Sequence, residues 1–145
     1  MSSDLQISAR PELPVVIRIL REAGLPTEDL TVSHLEHFSH AGPASQPTGL
    51  VGLEIFGEVA LLRSLVVVPD RRGSGDGTRL LAHAEDHARS ANVRHLYLLT
   101  TTAEAFFAKH GYARAARDSA PPAIRSTREF SGICPASSAF MSKPL

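Results

Sequence analysis

LRSLVVVPDRRGSGDGTRLLAHAEDHA, residues 62–88, sets three elements in order: an apolar, β-branched run, a glycine-rich loop, and a helix with one apolar stripe. The run reads as a central strand that Pro69 stops. Leu80, Leu81, Ala84 and Ala88 recur at helical spacing after the loop. Between them lies Arg72-Gly73-Ser74-Gly75-Asp76-Gly77. Its glycines let backbone N–H groups turn toward one point, and the N-terminus of the following helix adds partial positive charge there. A pyrophosphate is the natural guest of such a loop. A dinucleotide fingerprint would read G-x-G-x-x-G with an acid about 20 residues on. Here the loop is G-x-G-x-G, and that later region reads Val93-Arg94-His95. A Gly-Lys-Ser/Thr ending is absent too. Taken alone, the glycine cluster is no more than a tight strand-to-helix turn.

Outward from this core, Val59 to Val68 is joined through Gly57 and Glu58 to Leu50–Phe56, a β-hairpin pattern. Leu5 to Ala9 alternates as a short first strand. Leu13, Val16, Ile17 and Leu20 then mark a helix after Pro11 that Gly24 and Pro26 close. A weaker helix is expected from Glu28 to Phe38, followed by a loop or frayed hairpin over AGPASQPTG, residues 41–49. Downstream, Val93 to Thr100 is the next strand. Thr101 and Glu104 form a capping box for a helix carrying Phe106 and Phe107, with Gly111 at its C′ position. Tyr112 to Arg117 reads as a strand, Pro121 to Phe130 as a short helix, and Ala139 to Lys143 as a last edge strand.

The 145 residues suit a single domain over 1–145 with room for a cofactor cleft. Lys plus Arg and Asp plus Glu cancel at 15 each, so bulk charge does not favour nucleic acid as a partner. MSSDLQISAR has neither a basic nor an apolar leader pattern, and no apolar run approaches a membrane span. A cytoplasmic protein with no membrane partner is expected. Cys134 is the single cysteine, which excludes an internal disulfide and a cysteine-rich zinc site.

The order of elements gives the loop its meaning. Arg72, Gly75 and Gly77 after LRSLVVVPD resemble the R-x-x-G-x-G/A signature of the GNAT superfamily of N-acetyltransferases, and TTTAEAFFAKHGY resembles its second signature. The resemblance implies an α/β fold in which a mixed, twisted sheet splits like a V at its central strands, with acetyl-CoA in the split. It implies that Val66, Val67 and Val68 pair with the pantetheine arm. Arg72, Gly73, Ser74, Gly75, Asp76, Gly77 and Thr78 would surround the pyrophosphate, with Thr100 and Phe107 beside the cofactor. Many members carry Asn where Thr100 stands, a proton-donating Tyr where Phe107 stands, and an aliphatic residue where Asp76 stands. Phe107 cannot protonate a leaving thiolate, though a thiolate with a pKa near 8.5 leaves tolerably at neutral pH. Asp76 is expected to face away from the phosphates and cap helix N–H groups.

LLRSLVV, LYLLTTTAEAFFAKHGY, PPAIRSTREF and CPASSAFM together further resemble the small N-acetyltransferases associated with bacterial arsenic-resistance operons. That narrower resemblance implies detoxification of a small-molecule amine, an anionic amino acid or amino-acid analogue, arsenicals included. Glu54 is the candidate catalytic base, or else a solvated outer-face acid. Arg63 interrupts an apolar strand and needs a partner, either a substrate carboxylate or an internal acid such as Glu54. Arg125 and Arg128, at i and i+3, would share a helix face and grip an anionic substrate, or else be solvated or paired with Asp118 and Glu129. His34, His37 and His40, and His83 with His87, have metal-compatible spacing, yet HAEDH is not H-E-x-x-H. A solvated surface and no metal are expected. A homodimer is left open. The alternative to an enzyme is a non-catalytic acetyl-CoA-binding module.

Overall fold

The computed structural model describes residues 6–134 and 137–145. Leu5 of the expected first strand and Pro135 and Ala136 of CPASSAFM lie outside them. The elements are β1 (Ile7–Ala9), α1 (Leu13–Glu22), β2 (Phe38–Ala41), β3 (Gly49–Phe56), β4 (Val59–Val67), α2 (Asp76–Ser90), β5 (His95–Thr100), α3 (Glu104–Lys109), β6 (Ala113–Arg114), α4 (Pro122–Arg125) and β7 (Ala139–Pro144). They form one seven-stranded sheet in the order β1-β2-β3-β4-β5-β7-β6. The β4 strand is central. It pairs antiparallel with β3 and parallel with β5, the two hands that make the sheet mixed.

Strand β4 is bulged. Pairing passes from Gly52↔Arg63 to Leu50↔Val66, so Ser64 and Leu65 oppose Val51 alone. Ser64 takes φ +61°, a left-handed conformation that a non-glycine residue holds only when its surroundings impose it. A bulge bends its strand and sharpens the local twist. On the other side of β4, pairing with β5 covers only Val59↔His95, Ala60↔Leu96 and Leu61↔Tyr97. Beyond those pairs the two strands diverge, and the V-shaped split opens where the bulge turns β4 away.

One sheet face packs Val51, Leu53, Ala60 and Leu62 against Leu80, Leu81, Ala84 and Ala88 of α2 and against Phe107. The opposite face is covered by Val16, Ile19 and Leu20 of α1 over Phe38, Leu50 and Val66, and by Ile124 of α4 over Leu61 and Phe140. Helices α1, α2 and α3 end alike. Leu25, Val93 and Tyr112 donate their backbone N–H groups to Leu20, Ala88 and Phe107, with Gly24, Asn92 and Gly111 at positive φ between. These Schellman closures satisfy the last carbonyls and fix the exit directions of the chain. At the end of α1 the closure delivers Leu25 and Pro26 to the wall of the split.

Several local expectations are corrected. Residues 28–38 hold only a 3₁₀ turn, Val32–His37, because Phe38 is taken into β2. Helix α3 has Ala103 as its N-cap, not a Thr101–Glu104 box, and Thr100 Oγ1 accepts the Ala103 N–H at 3.0 Å. The strand after Tyr112 shrinks to two residues, and β7 is inserted between β5 and β6 instead of forming the edge. The helix expected over 121–130 is one turn, α4, followed by a separate π-helical turn at Glu129–Ile133.

Gly52 faces Phe38 across β2 and β3, and a Cβ built there would lie 2.3 Å from Phe38 Cε1. Phe38 is fully buried, so its ring must displace packed neighbours to give way. Gly52→Ala is therefore expected to cost about 1–3 kcal/mol in urea unfolding, with Phe38→Leu in the same chain restoring part of the loss.

Candidate active site

The split ends at the glycine loop. Val68 donates its N–H to the Thr48 carbonyl at 2.9 Å, on the β3 side. Because backbone groups alternate along a strand, Val67 turns its own N–H and carbonyl toward the open side. Arg72 Nε meets that carbonyl at 3.3 Å. Gly73 and Gly75 then take φ +80° and +88°, the conformation only glycine adopts freely. Gly75 is the N-cap of α2, and the first bond of the helix runs from Arg79 N–H to the Gly75 carbonyl at 3.1 Å. The N–H groups of Gly75, Gly77 and Thr78 have no acceptor among the described residues. Together with the helix dipole they form a cradle for an anion.

Asp76 does not spoil this cradle. Its carboxylate accepts two bonds from Arg71, Nε to Oδ2 at 2.9 Å and Nη2 to Oδ1 at 3.2 Å, and Arg79 lies 3.4 Å away. The Arg71 hydrogen bond holds the carboxyl below the usual carboxylate range, so Asp76 is a charge already neutralised by arginines. The expected capping role is corrected: the side chain caps no helix N–H group, and Ser74 Oγ instead accepts the Asp76 N–H at 3.3 Å. Gly77 lies on the cavity wall, and a Cβ there would meet Phe106 and Val67 at ordinary contact distances of 3.7–3.8 Å.

From this loop a 480 Å³ cavity runs along the split. Its other end, four residues back along β4 and so ~13 Å away, is floored by Arg63. Arg63 is 3% exposed and holds three carboxylates. Nη1 and Nη2 clasp Asp29 at 2.6 and 2.9 Å, Nη1 also donates to Glu54 at 2.8 Å, and Nη2 lies 3.1 Å from Glu129. Burial pushes the guanidinium pKa down, but the three carboxylates outweigh it and the net shift is upward. For Asp29 burial pushes the carboxyl up, yet the Arg63 hydrogen bond and charge hold it below its ordinary value. Glu129 differs. Burial drives it up to about 7, and the charges of Asp29 and Glu54 oppose the pull of Arg63. Burial and the adjacent Glu129 also push the Cys134 thiol up to about 12, so it stays protonated and is no nucleophile at neutral pH.

The structure thus places the sequence-derived candidates unequally. Val66, Val67, Arg72, Gly77, Thr100, Phe107 and Arg63 line the cavity, whereas Val68, Gly73, Ser74, Gly75, Asp76 and Thr78 lie outside its wall. Arg63 is not free for a substrate carboxylate, because its donors are already taken. Glu54 sits behind Arg63 and does not reach the cavity. Arg125 and Arg128 form no clamp: α4 ends at Arg125, whose guanidinium donates to the backbone carbonyls of Ala120 and Asp118. Arg125→Lys and Arg128→Lys are expected to leave the KM for an anionic amine within about twofold of the parent's. Phe107 packs edge-on against Phe106 and Tyr112, and the Tyr112 hydroxyl donates to Glu85 at 2.9 Å. That phenol is no substitute acid, since burial and Glu85 raise its pKa far above neutrality.

Glu129 and Ser138 are among the cavity residues that sequence reasoning did not put in the site. The Ser138 hydroxyl is buried without a hydrogen-bond partner among the described residues. Nothing local marks either, since their burial arises from the chain folding back over β5 and β4. The histidines are not simply solvated: His37 and His87 meet at 3.2 Å, and His83 meets Ser39 at 3.1 Å. Asp29, His34 and Glu54 offer ligand atoms within 4.8 Å of one another, but Asp29 and Glu54 already hold Arg63. No helix among the described residues is long and apolar enough to cross a membrane.

The comparisons agree with this geometry. An amino-acid acetyltransferase of Neisseria meningitidis serogroup A is 29% identical over 127 residues, covering 84% of this chain and 29% of its own length. The N-acetylglutamate synthase of Neisseria gonorrhoeae, solved with coenzyme A and N-acetyl-glutamate, superposes with a TM-score of 0.82 at 24% identity, over all of this chain and 36% of that one. Rv2747 of Mycobacterium tuberculosis, solved with CoA, superposes with a TM-score of 0.75 at 17% identity, over 97% of this chain and 99% of that one. The chain therefore spans about a third of the length of the Neisseria proteins it resembles. The acetyltransferase (GNAT) domain family matches residues 36–114, across the hairpin, the glycine loop, α2, β5 and α3, and the chain belongs to that family.

Proposed function

We propose that the protein transfers the acetyl group of acetyl-CoA to the amine of a small amino acid or amino-acid analogue. One observation carries the reading: a single cavity joins a backbone anion cradle at the start of α2 to a buried acid cluster at Arg63, along the unpaired edge of β4. The residues fit the co-substrate. The N–H groups of Gly75, Gly77 and Thr78 would hold the pyrophosphate, and Val67, whose carbonyl meets Arg72 Nε and whose N–H faces the split, offers a backbone edge to the pantetheine arm. Bound there, acetyl-CoA supplies an activated thioester to the far end of the cavity. The acids at that end attract an ammonium.

The names of the Neisseria relatives support an amino acid as acceptor. The segments PPAIRSTREF and CPASSAFM support the narrower reading of an anionic amino-acid analogue, arsenicals included, met in a resistance role. The test is thiol release from acetyl-CoA over a panel of amino acids and their phosphinate and arsonate analogues. Turnover of at least one α-amine is expected. Tight acetyl-CoA binding with no turnover of any amine would instead make the protein a binding module.

A further inference from the structure

We propose that Glu129, and not Glu54, takes the proton from the acceptor ammonium, which sits between the Glu129 oxygen that Arg63 does not hold and the Ser138 hydroxyl. The inference rests on the acetyl-transfer reading above and adds the group that makes the nitrogen nucleophilic. Of the three carboxylates around Arg63, Glu129 alone lines the cavity; Asp29 and Glu54 bind the guanidinium from the protein side. Asp29 engages both Arg63 nitrogens, whereas Glu129 touches one of them, at 3.1 Å, and also hydrogen-bonds the Cys134 thiol. Ser138 lines the same cavity and supplies a second, independent sign of a ligand: its hydroxyl is buried without a hydrogen-bond partner among the described residues. An ammonium N–H would satisfy it.

The groups facing Glu129 are Arg63 from β4, Asp29 from the loop after α1, Glu54 from β3 and Cys134 from its own segment. One cation against three acids leaves the floor of the cavity negative, which favours capture of an ammonium. Burial meanwhile keeps the Glu129 carboxyl near the pH at which a general base works best. In the step, one N–H proton passes to the Glu129 carboxylate and then to water. The freed lone pair forms the C–N bond as the C–S bond breaks, and the second proton released by nitrogen ends on the departing sulfur. Amide, CoA thiol and one proton balance the ammonium and thioester. Arg63 is a positioning residue here, since it holds Glu129 without touching the reacting atoms.

The experiment compares the parent, Glu129→Gln and Glu54→Gln in three measurements: kcat/KM against pH, acetyl-CoA affinity, and the urea midpoint at pH 5.5 and 8. With a substrate from the panel, Glu129→Gln is expected to lose about 10²- to 10³-fold in kcat/KM at pH 7, and less where free amine is abundant. Acetyl-CoA affinity stays unchanged, and Glu54→Gln loses under fivefold. Its raised folded pKa means that Glu129 binds more protons folded than unfolded, so it costs stability as pH rises from about 4.5 to 7. The midpoint of Glu129→Gln should therefore rise relative to the parent's between pH 5.5 and 8. An active parent whose Glu129→Gln form stays within threefold, with the same pH profile, overturns the inference and leaves acetyl transfer standing. A parent that binds acetyl-CoA and acetylates no amine overturns the acetyl-transfer reading, and this inference with it.

Discussion

Arg63→Met is expected to destabilise the fold by about 3–5 kcal/mol at pH 7.5, the cost of leaving buried charges without their partner. Few substitutions in the protein should do more. Asp29, Glu54 and Glu129 all direct oxygens at one guanidinium whose side chain is shut off from water. Methionine fills similar volume but leaves three carboxylates facing each other in a poorly solvated site. The pH dependence carries the signature. In the parent, Arg63 holds the Asp29 carboxyl below its ordinary 3.8, so that contribution is present at neutral pH and is lost only as pH falls through the folded value. In Arg63→Met, burial and mutual repulsion raise the Asp29 and Glu129 carboxyl pKa values above their unfolded ones. The folded state then binds more protons, and stability rises as pH falls. Urea unfolding at pH 7.5 and 5 checks this: the deficit should shrink at pH 5, and Arg63→Lys should fall between the two, since lysine keeps the charge but loses the planar fork. An equal deficit at both values would mean that packing and not charge makes Arg63 important.

The second large effect is on cofactor affinity. Gly77→Val is expected to weaken acetyl-CoA binding by roughly 10- to 100-fold while the protein stays folded, which corresponds to about 1–3 kcal/mol of overpacking against the guest. Gly77 is helical, without positive φ, and its Cβ position is unobstructed by the protein, so the added γ-carbons project into the cavity between Val67 and Phe106. Gly75 is a less clean probe. Its φ of +88° strains any L-residue, so Gly75→Val distorts the cradle itself even though nothing lies within 4 Å of its Cβ. Calorimetric titration with acetyl-CoA, alongside a thermal melt, separates the two cases. A folded Gly77→Val protein with parental affinity would place the cofactor elsewhere.

Sequence alone determined the strand, glycine loop and helix at residues 59–90, the hairpin before them and the glycine-closed helix α3 after them. These are local decisions. Hydrophobic period, a proline stop and glycines at left-handed positions act within a few residues, so they can be read in order along the chain. The nature of Asp76, the reach of Glu54 and the use of Arg63 could not be so read. Each depends on partners from elsewhere: Arg71 and Arg79 fold around Asp76, and Arg63 draws in Asp29 from 34 positions upstream. A one-residue bulge at Ser64 decides where β4 leaves β5, and no pattern in SLVVV announces it. Glu129 shows the limit most plainly. In sequence it is one acid between Arg128 and Phe130 in a segment with no strong period. Only when that segment packs over Arg63 does the carboxyl become buried and turned to the cavity, because desolvation and unlike neighbours are properties of a place in space and not of a place in the chain.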